Sequence, residues 1–356
     1  MAVVLAAGKG TRMRSRLPKV LHRAAGRPLL DWVLDAARAA GCGRILVVVG
    51  HGAEQVRAEI GGSDLNWVVQ ARQRGTGHAL AQVEERIDGP ALLLVLSGDV
   101  PLVGAATLER LLAAAAAGWG AMAVADLPRP GALGRVVARG ELLERIVEAS
   151  DASPAELALH TVNAGLYALP APEIFSFLSA LDPANAQGEL YLTDAVTAAA
   201  AAGRPVALVR LDDPGEALGV NDRRELAEVH RRLLDRHLDA LMLSGVTVLE
   251  PARTVVEATV CVGPDTVLHP GVSLLGRTTV GSGCVLQQGV WVRDSRLGDR
   301  VTVEPYGVVD GAEVGSGCQV GPLARLTPAS RLLPGARMGS FVENGSGGCS
   351  PEPDKD

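Results

Sequence analysis

The stretch Val3-Val-Leu-Ala-Ala-Gly-Lys-Gly-Thr-Arg-Met13, followed by Leu17-Pro-Lys19, decides the fold of the first half of this chain. Its first three residues predict a short apolar strand, and the small residues and two glycines after it let backbone pass close to a ligand. Exposed N–H groups in such a turn bind anions, and Lys9, Arg12 and Lys19 add positive charge. The chain has only three lysines, and two of them stand here. Because a compact ammonium suits a phosphate that moves during a reaction, we predict a nucleoside triphosphate site.

Other glycine-rich phosphate motifs fit this turn less well. A lone Gly-x-Gly after a strand is a weak signal, and the chain lacks the Gly-x-x-x-x-Gly-Lys-Ser/Thr pattern of a P-loop. A dinucleotide fingerprint needs a third glycine, where this chain has Arg12 and Met13. Asp31 lies at the distance of a ribose-binding acid, so a dinucleotide site is weakened as an alternative but stays open.

Length and composition favour two domains and exclude several protein classes. The chain has 356 residues, of which 47% are hydrophobic, enough to build two cores. A net charge of −6 and 3% aromatic residues provide neither the basic surface nor the stacking platforms of a nucleic-acid-binding protein. The five scattered cysteines form no Cys-x-x-Cys, which argues against a zinc site or a disulfide framework. With no signal peptide and no membrane-spanning run, a cytoplasmic protein is expected.

Short apolar runs alternate with helix-like stretches up to about residue 224. The predicted strands are Val3–Leu5, Ile45–Val49, Trp67–Gln70, Ala91–Leu96, Met122–Ala125 and Val206–Leu211. The predicted helices between them are Pro28–Ala40, Gly77–Arg86 and Ala105–Ala117. Fully apolar strands alternating with helices indicate an α/β fold with a mainly parallel sheet covered on both faces. Ligands of such sheets bind beyond the carboxyl ends of the strands.

A six-residue repeat replaces this pattern from about residue 250. The repeating aliphatic positions are Val256, Val262, Leu268, Leu274, Val280, Leu286 and Val292, then Leu297, Val303 and Val309, then Val314, Val320, Leu326, Leu332 and Met338. Such repetition is typical of a parallel β-helix, in which each hexad supplies one flat side, and these hexads predict about five coils.

These patterns divide the chain into four segments. Residues 1–224 form the α/β domain, and residues 225–249 a connecting amphipathic helix and linker. Residues 250–343 form the β-helix. Residues 344–356 are too polar to bury a core and are expected to be a disordered tail.

Several polar residues stand where strands are predicted to end. Asp99 follows the strand 91–96, and with Asn221 it offers oxygen ligands for Mg²⁺, although either could instead be a turn or cap residue. Gln70 and the turn Gly75-Thr76 follow another strand, and an amide there could read a base edge. His51, His78 and His160 form no recognisable pair, so no general base is assigned.

Together these motifs resemble one family. They are Gly-Lys-Gly-Thr-Arg-Met13, Leu-Pro-Lys-Val-Leu-His22, Gln70 with Gly-Thr-Gly-His-Ala79, Gly98-Asp99, Val-Asn-Ala-Gly165, Asn185-Ala-Gln-Gly-Glu-Leu-Tyr-Leu-Thr-Asp194 and Gly-Val-Asn221, with hexads following. The chain, over residues 1 to about 343, resembles the bifunctional N-acetylglucosamine-1-phosphate uridylyltransferase/glucosamine-1-phosphate acetyltransferase (GlmU) family of bacterial cell-wall precursor synthesis. The resemblance implies a Rossmann-like nucleotidyltransferase (GT-A-like) domain followed by a short left-handed parallel β-helix.

The resemblance also implies a role for each matching residue. Uracil and ribose would contact Leu5, Ala6, Ala7, Gly8, Gln70, Gly75 and Thr76. Phosphates would contact Lys9, Arg12 and Lys19, with Lys19, Arg12 and Asp99 catalytic. Asp99 and Asn221 would hold Mg²⁺, Gly98 would adjoin them, and Gly134, Glu148 and Asn163 would position the sugar. Ser97 departs from the Tyr of some members, which weakens one sugar contact.

The implied reaction converts UTP and N-acetylglucosamine 1-phosphate to UDP-N-acetylglucosamine and pyrophosphate. A sugar phosphate oxygen is already an anionic nucleophile, so the absence of an assigned base is consistent with it. The alternatives are uridylyl or thymidylyl transfer to another sugar 1-phosphate, or a non-catalytic regulatory homologue, against which Lys19, Asp99 and Asn221 argue.

The resemblance assigns acetyl transfer to the β-helix, but residues for it are replaced here. Thr327 takes the place of an Arg, and Asn344-Gly-Ser346 that of paired lysines. The later coils with the catalytic His are missing, by natural truncation, cloning or frameshift. We therefore expect a truncated acetyltransferase-like β-helix without that activity, which could assemble a homotrimer.

Overall fold

Residues 1–182 and 188–344 are described by a computed structural model of the chain. They divide into two units, the first comprising Met1–His22 and Pro28–Val229, and the second Arg23–Arg27 and the chain from His230 onward. Of the predicted tail 344–356, Asn344 is described and ends a strand, whereas residues 345–356 lie outside the described residues, as does part of the Asn185-Ala-Gln-Gly motif. Among the described residues, no helix is both long and apolar enough to cross a membrane.

The central element of the first unit is a mixed sheet of nine strands. The strands up to residue 210 are β1 (Ala2–Ala6), β2 (Arg23–Ala24), β3 (Arg27–Pro28), β4 (Ile45–Val49), β5 (Leu65–Val69), β6 (Ala91–Ser97), β7 (Gly120–Asp126), β8 (Arg135–Arg139), β9 (Leu142–Val147), β10 (Thr161–Ala171) and β11 (Val206–Arg210). The sheet order is β5-β4-β1-β6-β10-β7-β11-β9-β8, and β2 pairs with β3 separately. Every residue of β4 is buried, as expected of a strand covered on both faces.

The parallel arrangement predicted from the sequence holds for part of this sheet. Strands β5, β4, β1 and β6 are parallel, and Leu5 of β1 pairs with Val48 and Ser97 on either side. Strands β7 and β11 are also parallel. The sequence analysis missed β8, β9 and β10, which are antiparallel to their neighbours. Asn163, Gly165 and Pro170 interrupt the apolar pattern of β10, so it does not read as a strand.

Helices cover the sheet of the first unit. The helices are α1 (Leu29–Ala39), α2 (Ala53–Glu59), α3 (Thr76–Ala81), α4 (Ala105–Ala116), α5 (Pro154–Leu157), α6 (Glu173–Ser179), α7 (Leu192–Ala201) and α8 (Arg223–Leu243). The helix predicted over 77–86 is wrong in its extent, because α3 ends at Ala81. The N–H groups of Gln82 and Val83 bond three residues back, which tightens the chain into 3₁₀ geometry. Helix α8 begins in the first unit and continues into the second.

The second unit is a left-handed parallel β-helix. Its strands are β12 (Thr247–Val248), β13 (Val255–Val256), β14 (Cys261–Val262), β15 (Val267–Leu268), β16 (Ser273–Leu275), β17 (Thr279–Val280), β18 (Val285–Leu286), β19 (Trp291–Arg293), β20 (Arg296–Leu297), β21 (Thr302–Val303), β22 (Val308–Asp310), β23 (Glu313–Val314), β24 (Gln319–Val320), β25 (Arg325–Leu326), β26 (Arg331–Leu332), β27 (Arg337–Met338) and β28 (Glu343–Asn344). Every third strand pairs in parallel, which gives three sheets, β12 to β27, β13 to β28 and β14 to β26.

The predicted hexads account for the core of this β-helix. Each repeating aliphatic residue is the second residue of a strand, and all except the half-buried Val262 are buried. Strands β12 and β28 extend the repeat by one strand at either end of the predicted series. Leu238 and Leu241 of α8 belong to the same apolar core.

Replacing Leu286 by Ala should destabilise the β-helix strongly. Its side chain is fully buried between coils, so the variant leaves a cavity, and we expect the free energy of unfolding to fall by about 2–5 kcal/mol. Leu333→Ala is the matched control, because Leu333 is 54% exposed and its loss should cost less than about 0.5 kcal/mol. Urea-dependent hydrogen exchange of β15, β18 and β21 measures both, and equal costs would contradict the assigned core.

Candidate active site

Three side chains from distant parts of the sequence meet at one point of the first unit. Lys19 lies in a 3₁₀ turn, Lys19–Leu21, Asp99 follows β6, and Asn221 precedes α8. The Lys19 Nζ donates to Asp99 Oδ2 and, over 3.2 Å, to Asn221 Oδ1. The Lys19 and Asp99 side chains are only 16% and 17% exposed. The structure therefore brings together three residues that the sequence analysis selected separately.

Backbone contacts hold Asp99 between the ends of two strands. The N–H of Gly98 donates to the carbonyl of Leu5 at 2.9 Å, and the N–H of Val220 donates to the carbonyl of Asp99 at 2.9 Å. A Cβ on Gly98 would lie 3.2 Å from the Leu5 carbonyl oxygen, which is tighter than ordinary packing. Because glycine has no side chain, the loop after β6 can approach β1 closely. This approach places the Asp99 carboxylate near the ends of both strands.

Gly10 allows the glycine turn to pack against Lys19. Its φ of +58° lies in the left-handed region that favours glycine, and a Cβ there would lie 2.8 Å from Lys19 Cβ. Around it, Ala6 and Ala7 are buried, whereas Gly8, Lys9 and Arg12 are exposed. The turn therefore presents backbone and two cations to solvent beside the more buried lysine.

The donor set of this cluster fits a divalent cation. A carboxylate oxygen and an amide oxygen converge on a single ammonium, so both already point at a position where positive charge is favourable. Mg²⁺ takes oxygen ligands and is usually held by one or two protein groups plus substrate phosphates. Among the described residues, no group of three or more His, Cys, Asp or Glu side chains could hold a metal ion by itself.

The predicted base-reading turn forms a second cluster. The buried Gln70 donates from Nε2 to the Gly75 carbonyl at 3.2 Å, and Nε2 lies 2.9 Å from His78 Nδ1. Burial lowers the pKa of His78, and Arg74 adds to this, so a neutral ring accepts that bond. Both amide protons of Gln70 are thus bonded within the chain, and within residues 1–182 and 188–344 its Oε1 has no hydrogen-bond partner.

Glycine is required at the start of this turn. Gly75 has a φ of +99°, and a Cβ there would lie 2.4 Å from the carbonyl oxygen of Leu190. The next residue, Thr76, accepts a hydrogen bond from the N–H of Leu192 at 3.0 Å through its Oγ1. The turn is therefore packed directly onto the segment that leads into α7.

A third cluster joins the residues selected for sugar contact. The N–H of Asn163 donates to the Gly134 carbonyl at 2.9 Å, and a Cβ on Gly134 would lie 3.4 Å from Glu148 Oε2. A Cβ on Gly165, in the same strand as Asn163, would lie 3.4 Å from Ser97 Oγ. Gly134, Glu148, Asn163 and Ser97, which are far apart in sequence, are thereby linked.

Sequence reasoning missed two side chains that orient this cluster. Thr193 donates through Oγ1 to Glu148 Oε1 at 2.9 Å, and Asn163 donates through Nδ2 to the Tyr167 hydroxyl at 2.6 Å. Asn163 also accepts from the N–H of Gly165 at 2.9 Å. The Asn-x-x-x-Tyr spacing carries no recognised signal. Thr193 belongs to the Asn185-to-Asp194 motif, in which no role was predicted for it.

Burial sets the protonation behaviour of Glu148. Desolvation raises the pKa of its carboxyl, the Thr193 hydrogen bond opposes this, and Asp194 and Asp151 raise the pKa further. Burial also raises the pKa of Tyr167 far above its ordinary value. The charged form of Glu148 is thus costly even with the Thr193 hydrogen bond in place.

Comparisons with known proteins show which proteins the chain is similar to in sequence and in fold. The MobA-like NTP transferase domain family matches residues 2–248. The bifunctional protein GlmU of Syntrophotalea carbinolica is 44% identical over 88% of this chain and 68% of its own length. Those of Trichlorobacter lovleyi and Burkholderia multivorans are 46% and 42% identical over 96% of this chain and 75% and 76% of theirs. A crystal structure of UDP-glucose pyrophosphorylase complexed with UDP-glucose, 19% identical, superposes with a TM-score of 0.52 over 65% of this chain and 97% of its own, which shows the shared fold.

Replacing Glu148 by Gln should stabilise the protein at neutral pH. Because the folded-state pKa is raised, the folded state binds more protons than the unfolded state between the ordinary and the raised pKa. Stability therefore falls as pH rises through that window, and the loss persists at pH 7. Glutamine keeps an oxygen for Thr193 without the charge. We expect the variant's advantage at pH 7 to disappear below the ordinary carboxyl pKa.

Urea-dependent hydrogen exchange of β9 and β10 at pH 7 and at pH 4 measures this difference. Glu144→Gln is the control, because Glu144 lies in β9, which ends one residue before Glu148, and its side chain is 44% exposed. An advantage of Glu148→Gln that does not change with pH would contradict the assigned cause.

Proposed function

Since the chain belongs to the GlmU family of sugar-phosphate nucleotidyltransferases, we propose that it transfers a uridylyl group from UTP to N-acetylglucosamine 1-phosphate. The products are UDP-N-acetylglucosamine and pyrophosphate. The observation that carries the proposal is the convergence of Lys19, Asp99 and Asn221 beside the glycine turn. An ammonium group and two oxygen ligands for a divalent cation are the groups needed to hold two polyanionic substrates together.

The reaction is a displacement at the α-phosphorus of UTP. An oxygen of the sugar 1-phosphate forms the new P–O bond, and the bond to the bridging oxygen of pyrophosphate breaks, so the electron pair leaves with pyrophosphate. Because the nucleophile is already an anion, no protein base has to remove a proton. The work of the chain is therefore positioning and electrostatic stabilisation.

The cations of the first unit are proposed to act on different phosphates. Lys9 and Arg12, both exposed on the glycine turn, bind the triphosphate, and the more buried Lys19 binds phosphate at the reacting centre. Mg²⁺ held by Asp99 and Asn221 would neutralise charge on phosphate oxygens when bound. Lys19 then exchanges part of its bonding to Asp99 for bonds to substrate.

The remaining site residues are proposed to bind uridine and the sugar. Backbone from Leu5 to Gly8 and the Gly75-Thr76 turn line the nucleoside, and Gln70 accepts from the uracil N–H through its free Oε1. Gly134, Glu148 and Asn163 are proposed to contact the sugar, where a hydroxyl donor would satisfy the half-buried Glu148 carboxylate. Ser97, the last residue of β6, and Gly98, which follows it, are proposed to adjoin the sugar and the phosphate groups.

The β-helix is proposed to be structural in the 356-residue polypeptide. Thr327, which takes the place of the phosphate-binding Arg of the acetyltransferase, donates its hydroxyl to the Asn344 carbonyl at 3.0 Å. It therefore supplies packing between coils and no positive charge. Assembly of a homotrimer through this unit belongs to the same proposal.

Pyrophosphate release from a matrix of substrates tests the function. UTP, dTTP and ATP are each combined with N-acetylglucosamine 1-phosphate, glucose 1-phosphate or glucosamine 1-phosphate in the presence of Mg²⁺. We expect UTP with N-acetylglucosamine 1-phosphate to give the highest kcat/KM, since a site built for one base edge leaves buried groups unpaired with another. A higher kcat/KM with another pair of substrates would overturn the substrate assignment. Release of CoA from acetyl-CoA in the presence of glucosamine 1-phosphate would overturn the structural role of the β-helix.

Asp99→Ala should leave the fold intact and remove most activity. The variant loses the carboxylate that is proposed to hold Mg²⁺ near the leaving pyrophosphate. We therefore expect kcat to fall about 10²–10³-fold. Asp88→Ala is the matched control, because the Asp88 side chain is 92% exposed. Near-normal turnover of Asp99→Ala across a range of Mg²⁺ concentrations would contradict the assignment.

Lys19→Ala should lower kcat more than it raises KM for UTP, and Lys19→Arg should not restore kcat. Gly10 packs directly on the Lys19 stem, so a planar guanidinium cannot reach the point that the ammonium occupies between Asp99 and Asn221. Steady-state kinetics of both variants measure this. Full activity of Lys19→Arg would mean that any positive charge suffices there.

A further inference from the structure

The first turn of α8 has a hydrogen-bonded cap that reaches one residue further than an ordinary capping box. Asp222 Oδ1 accepts from the N–H groups of Arg224 and Glu225, at 2.8 and 3.0 Å. Glu225 Oε2 reaches back to the N–H of Asp222 at 3.3 Å and to that of Asn221 at 2.6 Å. The usual box satisfies only the cap residue's N–H, so the shorter bond to Asn221 is additional.

This additional bond fixes the residue that precedes the cap. Asn221 is the amide whose Oδ1 accepts from Lys19, and its own backbone is held by a carboxylate through a charge-assisted bond. A 21-residue helix therefore anchors the loop end that carries this oxygen. Without Glu225, the N–H of Asn221 loses its partner, and the loop gains freedom.

The same turn of α8 also holds the segment that carries Lys19. Arg223 Nη1 donates to His22 Nδ1 at 3.1 Å, and His22 is the residue that ends the Lys19–Leu21 turn. The N–H of His22 donates to the Lys19 carbonyl at 3.2 Å. His22 is 5% exposed, so its ring gives Arg223 a fixed acceptor rather than a mobile one.

We propose that Glu225 and Arg223 are positioning residues that set Asn221 and Lys19 around Asp99. Glu225 acts on Asn221, and Arg223 acts through His22 on the Lys19 turn. This inference rests on the proposed function of that site. Groups that stabilise charge in a reaction need support from a second layer of bonds, and loss of such support typically costs about 10–100-fold in metal affinity or rate.

The test compares Glu225→Ala, Glu225→Gln and Arg223→Gln with the control Arg224→Gln. Arg224 lies in the same turn with a side chain that is 95% exposed. Two readouts are used, pyrophosphate release from UTP and N-acetylglucosamine 1-phosphate, and water proton relaxation by Mn²⁺–UTP titrated with each protein, which requires no turnover. Melting temperatures identify variants that lose a helix cap without further effect.

We expect Glu225→Ala to weaken binding of Mn²⁺–UTP and to lower kcat, each about 10–100-fold. Glu225→Gln should retain most of both, since its amide oxygen still accepts from Asn221. Arg223→Gln should lower kcat with a smaller change in Mn²⁺–UTP binding, because Arg223 acts on Lys19 and not on the metal ligand.

Three results would overturn the proposal. The first is wild-type kinetics and Mn²⁺–UTP binding in Glu225→Ala and Arg223→Gln. The second is a lower melting temperature as the only change in them. The third is an equal loss in Arg224→Gln. If the wild type and Arg224→Gln release no pyrophosphate, the proposed function fails instead, and the relaxation titration still decides whether Glu225 supports a metal ligand.

Discussion

The bond of one ammonium to two oxygens is the interaction on which the site of the first unit depends. Lys19, largely buried, requires acceptors, and Asp99 and Asn221 supply them from two other parts of the chain. The same two oxygens are those that a divalent cation prefers. In the absence of substrate, Lys19 and Asp99 therefore neutralise each other's charge. The same groups are proposed to act on the polyanionic substrates when these bind.

Close backbone approach makes this balance possible. Gly98 lets the loop after β6 approach Leu5 closely, and Gly10 lets the glycine turn pack against the Lys19 side chain. Parallel β1 and β6 carry both segments to the same edge of the sheet. The first turn of α8 then closes the arrangement from a third direction, with one carboxylate bonded to the backbone of Asn221.

The β-helix depends on a different constraint, the repetition of one local rule. Each strand from β13 to β27 contributes one aliphatic side chain to the axis, and strands three places apart in the chain pair in parallel. Because every coil packs its aliphatic side chains in the same way, the six-residue period in the sequence is enough to predict the core. Among the strands between residues 247 and 344, β12 and β28 at the two ends fall outside the predicted series of hexads.

The sequence by itself determined the elements that have a local signature: the glycine turn, the apolar parallel strands, the amphipathic α8 and the hexads. Features without a sequence period depended on the tertiary structure. One of them is β10, which pairs antiparallel with β6 and β7 although Asn163 and Pro170 interrupt its apolar pattern. The tertiary structure also determined that Glu148 accepts a hydrogen bond from Thr193, and that the amide nitrogen of Gln70 is bonded to Gly75 and His78. The physical reason is range: periodicity and turn chemistry act over a few residues, whereas the partner of a buried polar atom depends on which distant segments the topology brings together.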